Sequence, residues 1–288
     1  MICEKIVFNE EKDVYLQRYT FEKYPGQMNN VLKRPAVVIF PGGGYINFCQ
    51  READPVAFQF MAAGYNAFIL KYSLGADAVY PNPLLDLCRA MKMIRENAED
   101  WGVIEDQIAV CGFSAGGHLA ASLGVYWNDP EIMERSGCLN GENKPNALIL
   151  GYPVISTSWL ENNGTHLARV IGDNDWDSTY KKLNLHTGVG KHTPPAFIFH
   201  TGRDKGVPPK DSIYFATALL DAGVPYELHI FPNGGHGLSL GTPQVNENGG
   251  DKSFPQWVML CVNWLDRLFQ NPEEGYAPLP KDPYSSRF

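Results

Sequence analysis

The cysteines of this 288-residue sequence form no CxxC pair and no other spacing that is typical of metal ligands. They are scattered along the whole chain, so no metal centre and no disulfide pattern is predicted from them. We expect reduced thiols and a cytoplasmic location. The six cysteines are Cys3, Cys49, Cys88, Cys111, Cys138 and Cys261.

Long apolar runs and basic clusters are also missing. No run approaches the roughly 18 apolar residues that a membrane-spanning helix needs. The N-terminal stretch MICEKIVFNEEKD has charges at positions 4 and 5 and no apolar core, unlike a secretory signal. The net charge is −8, and lysine and arginine do not cluster. We therefore expect neither a membrane nor a nucleic acid as a partner, and the sequence leaves a homo-oligomer open.

What the sequence does contain is an alternation of short apolar runs and helical segments. With 44% hydrophobic residues, the chain can bury a large core as one domain over 1–288. Alternating strands and helices predict an α/β fold whose mostly parallel sheet is covered by helices on both faces. Residues 157–193 are polar and are predicted to be an irregular insertion, and 271–288 a loosely packed tail. An N-terminal hairpin is predicted within 1–30, strands over 36–40, 65–74, 107–113, 146–154, 195–202 and 225–232, and helices over 55–63, 81–101, 114–126, 211–222 and 254–269.

A serine lies between two glycines in CGFSAGG, where a predicted strand meets a predicted helix. Gly112, Ser114 and Gly116 fit the G-x-S-x-G pattern of a nucleophile elbow, a turn so sharp that small residues must flank the serine. Such a turn holds the hydroxyl at the carboxyl edge of the sheet and at a helix N-terminus. A tight loop without catalysis is the alternative for the pattern taken alone.

A serine nucleophile needs a base, and His236 is the first candidate. It follows the last predicted strand and has glycines on both sides, so a loop can bring its imidazole to the sheet edge. His229 lies within that strand and is predicted to be a surface or packing residue. His118 is one helical turn beyond Ser114 and is predicted to be structural. His200 ends a strand and could support the site indirectly.

The acid that orients the base is predicted at Asp204. In this architecture the chain order is serine, acid, histidine, and Asp204 lies in the loop after the strand 195–202. A turn aspartate is the alternative. Asp211 is the fallback acid, although its place near the start of the next helix favours a capping role.

The glycine-rich loop FPGGGY predicts an oxyanion hole. Attack on an ester produces a tetrahedral oxyanion, which preorganised backbone N–H groups stabilise. We expect these donors from Gly43, Gly44 and Ala115. Neither GxGxxG nor GxxxxGK[ST] is present, which disfavours a phosphate-binding loop.

These pieces, in this order, resemble serine esterases of the α/β-hydrolase superfamily. Within that superfamily the chain looks like the acetyl-esterase and acetylxylan-esterase-like group, which is related to hormone-sensitive-lipase-like esterases. It runs from about 35 to 270, through PGGGY, YPNPLLDLCRAM, IAVCGFSAGGHLAA, HTGRDKGVP and ELHIFPNGGHGLSL. The sequence departs from the common His-Gly-Gly-Gly loop at Pro41. The resemblance implies an α/β-hydrolase fold with a small cap or none, and hydrolysis of short acyl esters, with acetylated xylo-oligosaccharides as a substrate class.

The expected chemistry is two-step acyl transfer without a metal or cofactor. Tyr45 is predicted to bind substrate, and Tyr72, Trp159 and Trp176 are further candidates for the mouth of the site; packing in the core or at an edge is the alternative for each. The alternatives are a general short-chain carboxylesterase, a small prolyl-oligopeptidase-like peptidase and a binding protein without activity. The acidic segment around Asp175 resembles the start of a calcium loop but lacks its later ligands, so a solvated loop is predicted.

Overall fold

An eight-stranded sheet organises the described part of the protein, in the order β1-β2-β4-β3-β5-β6-β7-β8. The structure is a computed structural model that describes residues 1–26, 31–157, 170–246 and 251–270. β1 and β2 form an antiparallel hairpin, β2 pairs antiparallel with β4, and the remaining pairs are parallel. The strands are β1 (Ile2–Asn9), β2 (Val14–Thr20), β3 (Arg34–Phe40), β4 (Asn66–Lys71), β5 (Val103–Phe113), β6 (Ala147–Gly151), β7 (Ala196–Thr201) and β8 (Tyr226–Phe231).

Helices cover both faces of this sheet, which confirms the predicted α/β-hydrolase fold. Along β3, Val38 packs into the core on one face and Val37 and Ile39 into the core on the other. Because β3 is buried on both faces, neither face needs polar side chains, and this explains its continuous apolar run. The helices are α1 (Asp54–Ala62), α2 (Asn82–Glu96), α3 (Ala98–Trp101), α4 (Ala115–Tyr126), α5 (Pro130–Ser136), α6 (Trp176–Leu183), α7 (Lys210–Ala222) and α8 (Trp257–Gln270).

Parts of the predicted secondary structure were wrong. The single helix over 81–101 is broken at Asn97, whose side-chain amide donates to the carbonyl of Met93 and so competes with the helical backbone bonds. The short helix α5 was not predicted. The polar segment 157–193 is not irregular throughout, because it contains α6.

The acidic segment before α6 is the start of that helix. The carboxylate of Asp175 accepts a hydrogen bond from the N–H of Ser178 at 2.8 Å, as an N-cap residue does. Trp159 and the tail 271–288 lie outside the described residues. Within the described ranges, no helix has the length and apolar character needed to cross a bilayer.

The strand order brings the loop after β3 and the loop after β5 to the same place on the sheet. The chain runs from β3 to β4 on one side and returns to β5 on the other side of β3, so the order reverses between β3 and β5. In parallel sheets such a reversal opens a crevice at the carboxyl ends of the strands, where ligands bind. The glycine loop follows β3 and Ser114 follows β5, so both lie at this crevice.

Candidate active site

Ser114 occupies a strained turn between β5 and α4. Its backbone angles are φ +54° and ψ −118°, outside the regions that residues with a side chain ordinarily adopt. Such a conformation costs about 1–3 kcal/mol and persists only where its surroundings impose it. Here the Ser114 N–H donates to the carbonyl of Gly151 at 3.0 Å, and the Ser114 carbonyl accepts from the N–H of His118 at 3.0 Å. The turn therefore fixes the direction of the hydroxyl.

The glycines around Ser114 are required by space. A Cβ on Gly112 would lie 2.1 Å from the carbonyl oxygen of Gly116, and a Cβ on Gly116 would lie 2.0 Å from that of Phe40. Both distances are far below any real contact. The close passage of α4 over the ends of β3 and β5 thus depends on these two positions.

His236 brings the three predicted reactive side chains into one hydrogen-bonded row. Its Nε2 lies 2.7 Å from Ser114 Oγ, and its Nδ1 lies 2.7 Å from Asp204 Oδ2. An ionised carboxylate only accepts hydrogen bonds, so Nδ1 carries the proton and Nε2 accepts from the serine hydroxyl. We call Ser114, His236 and Asp204 the triad. It has the geometry of an activated nucleophile, its base and an orienting acid.

Asp204 serves two purposes with its two oxygens. Oδ1 accepts hydrogen bonds from the N–H groups of Gly206 and Val207 at 2.8 and 2.9 Å, while Oδ2 faces His236. Burial raises the pKa of Asp204, but the hydrogen bonds from His200, His236 and Val207 outweigh it and hold this pKa below its usual range. The residue is therefore both a turn aspartate and the partner of the histidine. His200 also contacts this carboxylate, with its Nε2 at 3.3 Å from Oδ2.

The fallback acid, Asp211, lies elsewhere. Its buried carboxylate accepts hydrogen bonds from the N–H groups of Ile155 and Ser156 at 2.7 and 3.0 Å, and from the Ser156 hydroxyl at 2.9 Å. The capping role predicted for it is wrong, because the N-cap of α7 is Pro209 and no side chain caps that helix. Asp211 instead anchors the segment that follows β6 to α7.

The glycine loop forms one wall of a pocket of about 330 Å³ at Ser114 Oγ. Gly43 and Gly44, two of the predicted oxyanion donors, line it, and Ala115, the third, begins α4 directly after the serine. Within the described part of the chain, no hydrogen-bond acceptor is found for the N–H of Gly43 or of Ala115. The pocket is lined by Gly43, Gly44, Ile46, Asn47, Cys49, Arg51, Glu52, Ser114, His236 and Gly237.

A buried carboxylate beneath this loop was not predicted. Glu52 is 2% exposed, and its Oε2 accepts from the N–H of Gly42 at 2.7 Å. Its Oε1 accepts from the hydroxyl of Tyr152 at 2.7 Å, and that hydroxyl accepts from the N–H of Ser239 at 2.9 Å. We call Glu52, Tyr152 and Ser239 the Glu52 cluster. These residues are up to 187 positions apart, and no spacing in the sequence connects them.

Tyr45, predicted to bind substrate, does not line the pocket. Its side chain is 6% exposed, and its hydroxyl lies 2.9 Å from Nδ1 of His118. Burial lowers the pKa of His118 to about 4, so the ring is neutral near pH 7. Nε2 of His118 faces the carbonyl of Leu183 at 3.3 Å and donates to it, so Nδ1 accepts from Tyr45. This pair is structural, as was expected for His118.

The other aromatic candidates and histidines also lie outside the triad. Tyr72 is buried, and its hydroxyl donates to the carbonyl of Pro41 at 2.7 Å. Trp176 is exposed at the start of α6. His229 pairs with Glu227 at 3.2 Å on the edge strand. Among the described residues, no group of three or more histidine, cysteine or acidic side chains is arranged to hold a metal.

Comparison with known proteins places this chain in a family. The BD-FAE family model matches residues 24–219, more than half of the chain. The endo-1,4-β-xylanase B of Butyrivibrio fibrisolvens is 34% identical over 79% of this chain, which spans 36% of that protein's length.

Solved structures cover the chain more evenly. The carboxylesterase Cest-2923 of Lactobacillus plantarum has a TM-score of 0.82 at 29% identity, covering 92% of this chain and 97% of its own. The acetyl ester-xyloside bifunctional hydrolase of Caldicellulosiruptor lactoaceticus has a TM-score of 0.75 at 30% identity, covering 92% and 96%. The predicted resemblance to serine esterases is confirmed. This chain belongs to the BD-FAE family and has the α/β-hydrolase fold that it shares with these ester hydrolases.

Proposed function

We propose that the protein hydrolyses short acyl esters through Ser114 and removes acetyl groups from acetylated xylo-oligosaccharides. The observation that carries this proposal is the row of two 2.7 Å hydrogen bonds from Ser114 through His236 to Asp204, beside a loop of glycines. A hydroxyl, a base within reach of its proton and N–H donors at the same pocket are the parts that acyl transfer needs.

The first step is attack of Ser114 Oγ on the ester carbonyl carbon. The hydroxyl proton passes to Nε2 of His236 as the new C–O bond forms. Asp204 remains ionised, holds the tautomer and stabilises the imidazolium, a role that its lowered pKa favours. The carbonyl oxygen becomes an oxyanion in this step.

The oxyanion is received by the N–H groups of Gly43, Gly44 and Ala115. Donors that already point at the developing charge stabilise the transition state more than the ground state. Glu52 is a positioning residue here, because its carboxylate holds the N–H of Gly42 and with it the start of the donor loop.

The tetrahedral intermediate then collapses. The C–O bond to the alcohol breaks, and the leaving oxygen takes the proton from His236, which leaves an acyl group on Ser114. Water attacks this acyl-enzyme while His236 takes one of its protons. Release of the acid returns the proton to Ser114 Oγ and regenerates the starting state.

The sugar substrate is supported by two relatives and by the size of the pocket. One relative is named a xylanase and another an acetyl ester-xyloside hydrolase. The pocket of about 330 Å³ falls in the size range of small-molecule sites, which suits a short acyl ester of a sugar. A general short-chain carboxylesterase is the second candidate, which the likeness to Cest-2923 favours. A cytoplasmic location, reduced cysteines and the oligomeric state remain predictions.

The test is acetate release from acetylated xylo-oligosaccharides, beside p-nitrophenyl esters from acetate to octanoate. We expect fast release from the sugar and a steep fall of kcat/KM with acyl length. Good rates on octanoate with none on the sugar would favour the general carboxylesterase. No turnover of any ester by folded protein would contradict both candidates.

A further inference from the structure

Arg51 and Glu52 are neighbours in sequence and line the same pocket, but their side chains have opposite environments. Glu52 is buried and both of its oxygens accept hydrogen bonds, as described above. Arg51 is exposed on the pocket wall that also contains Ser114 and His236. The mechanism proposed above gives this guanidinium no task.

The residue after His236 makes room for this guanidinium. A Cβ on Gly237 would lie 2.8 Å from Nη2 of Arg51, so the end of this side chain lies close to the Gly237 backbone. Gly237 also has φ +74°, which residues with a side chain rarely adopt. The guanidinium of Arg51 therefore lies close to the backbone of Gly237, the residue that directly follows the proposed base His236.

No carboxylate of the described chain lies within ion-pair distance of Arg51. It takes part in none of the ion pairs found in the described ranges. Its neighbour Cys49 is not a counter-ion either, because burial, followed by the charge of Glu52, raises the pKa of this thiol to about 11. A cation therefore faces the pocket in a protein whose net charge is −8.

Two further cations lie beside the acid of the triad. Arg203 and Lys205 flank Asp204 and are exposed, and neither forms an ion pair within the described residues. The backbone of Gly206, next to Lys205, passes close to the His236 side chain, since a Cβ there would lie 2.8 Å from that of His236. Charges of one sign around a cleft attract the opposite charge and raise its local concentration.

We propose that Arg51 binds a carboxylate carried by the alcohol part of the substrate, so that the preferred ester is an acetylated acidic sugar such as a uronic-acid-bearing oligosaccharide. This inference rests on the proposed function, in which the acyl group is acetyl and has no second carboxylate of its own. Guanidinium presents a planar fork of N–H donors that matches a carboxylate, and this makes Arg51 a specificity-determining residue.

The test uses a matched pair of acetate esters, 3-acetoxybenzoate and 3-acetoxybenzamide, which differ in charge but hardly in size. For the wild type we expect kcat/KM to be about tenfold higher for the carboxylate than for the amide. Arg51→Gln should bring this ratio near one, mainly through KM for the carboxylate. Because the ratio compares the same two esters in each variant, their intrinsic reactivities cancel.

Lys191→Gln is the matched control. Lys191 is exposed and precedes β7, at the amino ends of the parallel strands, whereas Ser114 lies at their carboxyl ends. Its replacement therefore changes the net charge by the same amount without touching the pocket. It should leave the ratio unchanged. Raising the salt concentration should lower the wild-type ratio, because screening weakens an exposed charge pair.

Acetylated xylo-oligosaccharides with and without a uronic acid substituent extend the test to sugars, and a hemisuccinyl ester places the carboxylate on the acyl side. A preference for the hemisuccinyl ester alone would overturn the assignment to the alcohol part. Equal ratios in the wild type and Arg51→Gln, with both acetates hydrolysed, would overturn this inference and leave the proposed function intact. If neither acetate is hydrolysed and a fluorophosphonate does not label Ser114, the proposed function itself fails.

Discussion

The triad and the Glu52 cluster are two polar groups at the same edge of the sheet, and they differ in what faces the pocket. In the triad, the His236 side chain is 27% exposed and Ser114 has a strained backbone. In the Glu52 cluster, Tyr152 and Ser239 are fully buried, and both Glu52 oxygens are satisfied. A buried polar group without partners is costly, so the second arrangement is rigid once formed.

The contrast teaches how the reactive groups are kept in place. Tyr152 belongs to the Glu52 cluster through its hydroxyl, but its ring packs edge-on against His236 with 5.2 Å between centroids. The cluster thereby joins the donor loop after β3 to the histidine loop after β8. The triad performs the proposed chemistry, and the Glu52 cluster fixes the distance between the donor loop and the histidine loop.

Removal of the nucleophile gives the largest expected effect. Ser114→Ala should lower kcat by about 10⁴-fold or more, because the proposed acyl-enzyme forms on the Ser114 hydroxyl. Steady-state hydrolysis of p-nitrophenyl acetate measures it. Ser122→Ala, a buried serine on the same helix whose hydroxyl donates to the carbonyl of His118, should retain most of the activity. Near wild-type kcat in Ser114→Ala would remove the triad from the mechanism.

The two buried aspartates, Asp204 and Asp211, give the next largest difference. Asp204→Asn should lower kcat by about 10³–10⁴-fold, since an amide cannot stabilise the imidazolium of His236. Asp211→Asn makes the same chemical change at a carboxylate that only anchors Ile155 and Ser156, so it should lower the melting temperature and leave kcat within a few-fold. Similar losses of kcat in both folded variants would contradict the division of roles.

Glu52→Gln tests whether the Glu52 cluster acts on the transition state. The two donors face different oxygens of Glu52, and glutamine replaces one of these by an NH2 group, so the N–H of Gly42 or the hydroxyl of Tyr152 loses its acceptor. We expect kcat to fall about tenfold to a hundredfold with a smaller change in KM, because the oxyanion exists only after attack.

Affinity for a boronic acid transition-state analogue gives a second readout of Glu52→Gln, and it should fall in parallel with kcat. Glu131→Gln, which changes a surface carboxylate, is the control and should alter neither quantity. A fall in the melting temperature without a change in kcat or boronate affinity would reduce Glu52 to a purely structural residue.

The smallest effect on activity is expected at His118, which belongs to neither group. Its pKa in the folded state is about 4, against 6.5 for the free side chain. The unfolded chain therefore binds a proton first as the pH falls, and this histidine's contribution is lost between pH 6.5 and 4. The loss amounts to about 3 kcal/mol of unfolding free energy.

His118→Gln should flatten this part of the pH dependence, measured by denaturant unfolding at pH 7 and pH 4.5. Its kcat at pH 7 should change only a few-fold. His229→Gln, on the half-exposed edge strand, is the control and should keep the wild-type slope. An unchanged slope in His118→Gln would show that other groups cause the acid sensitivity.

Much of the site follows from the sequence because its pieces are local. The strained turn at Ser114 needs small neighbours within two positions, and Asp204 and His236 each follow a strand that an apolar run reveals. The helix break at Asn97 is subtler, since it depends on one side chain bonding to the backbone. The acid was predicted from chain order, and its geometry agrees with that choice over Asp211.

The missed parts depend on side-chain direction and on long-range contact. Tyr45 follows the glycine loop directly, but its own φ of +60° turns the side chain into the core towards His118. Glu52 lies in an ordinary polar stretch, and its partners Tyr152 and Ser239 are brought to it only by the completed sheet. No local pattern marks a carboxylate whose purpose is set by residues so far along the chain.

The position of β8 at the end of the sheet has a consequence for how the protein loses activity. Among the described residues, β8 pairs only with β7 and is mostly half-exposed, whereas β3 is paired on both sides and is buried from Ala36 to Phe40. Local opening of a sheet needs less free energy at its edge than at its centre. As denaturant rises, the loop bearing His236 should therefore detach while the central strands remain folded, so that hydrolysis fails before the overall secondary structure melts.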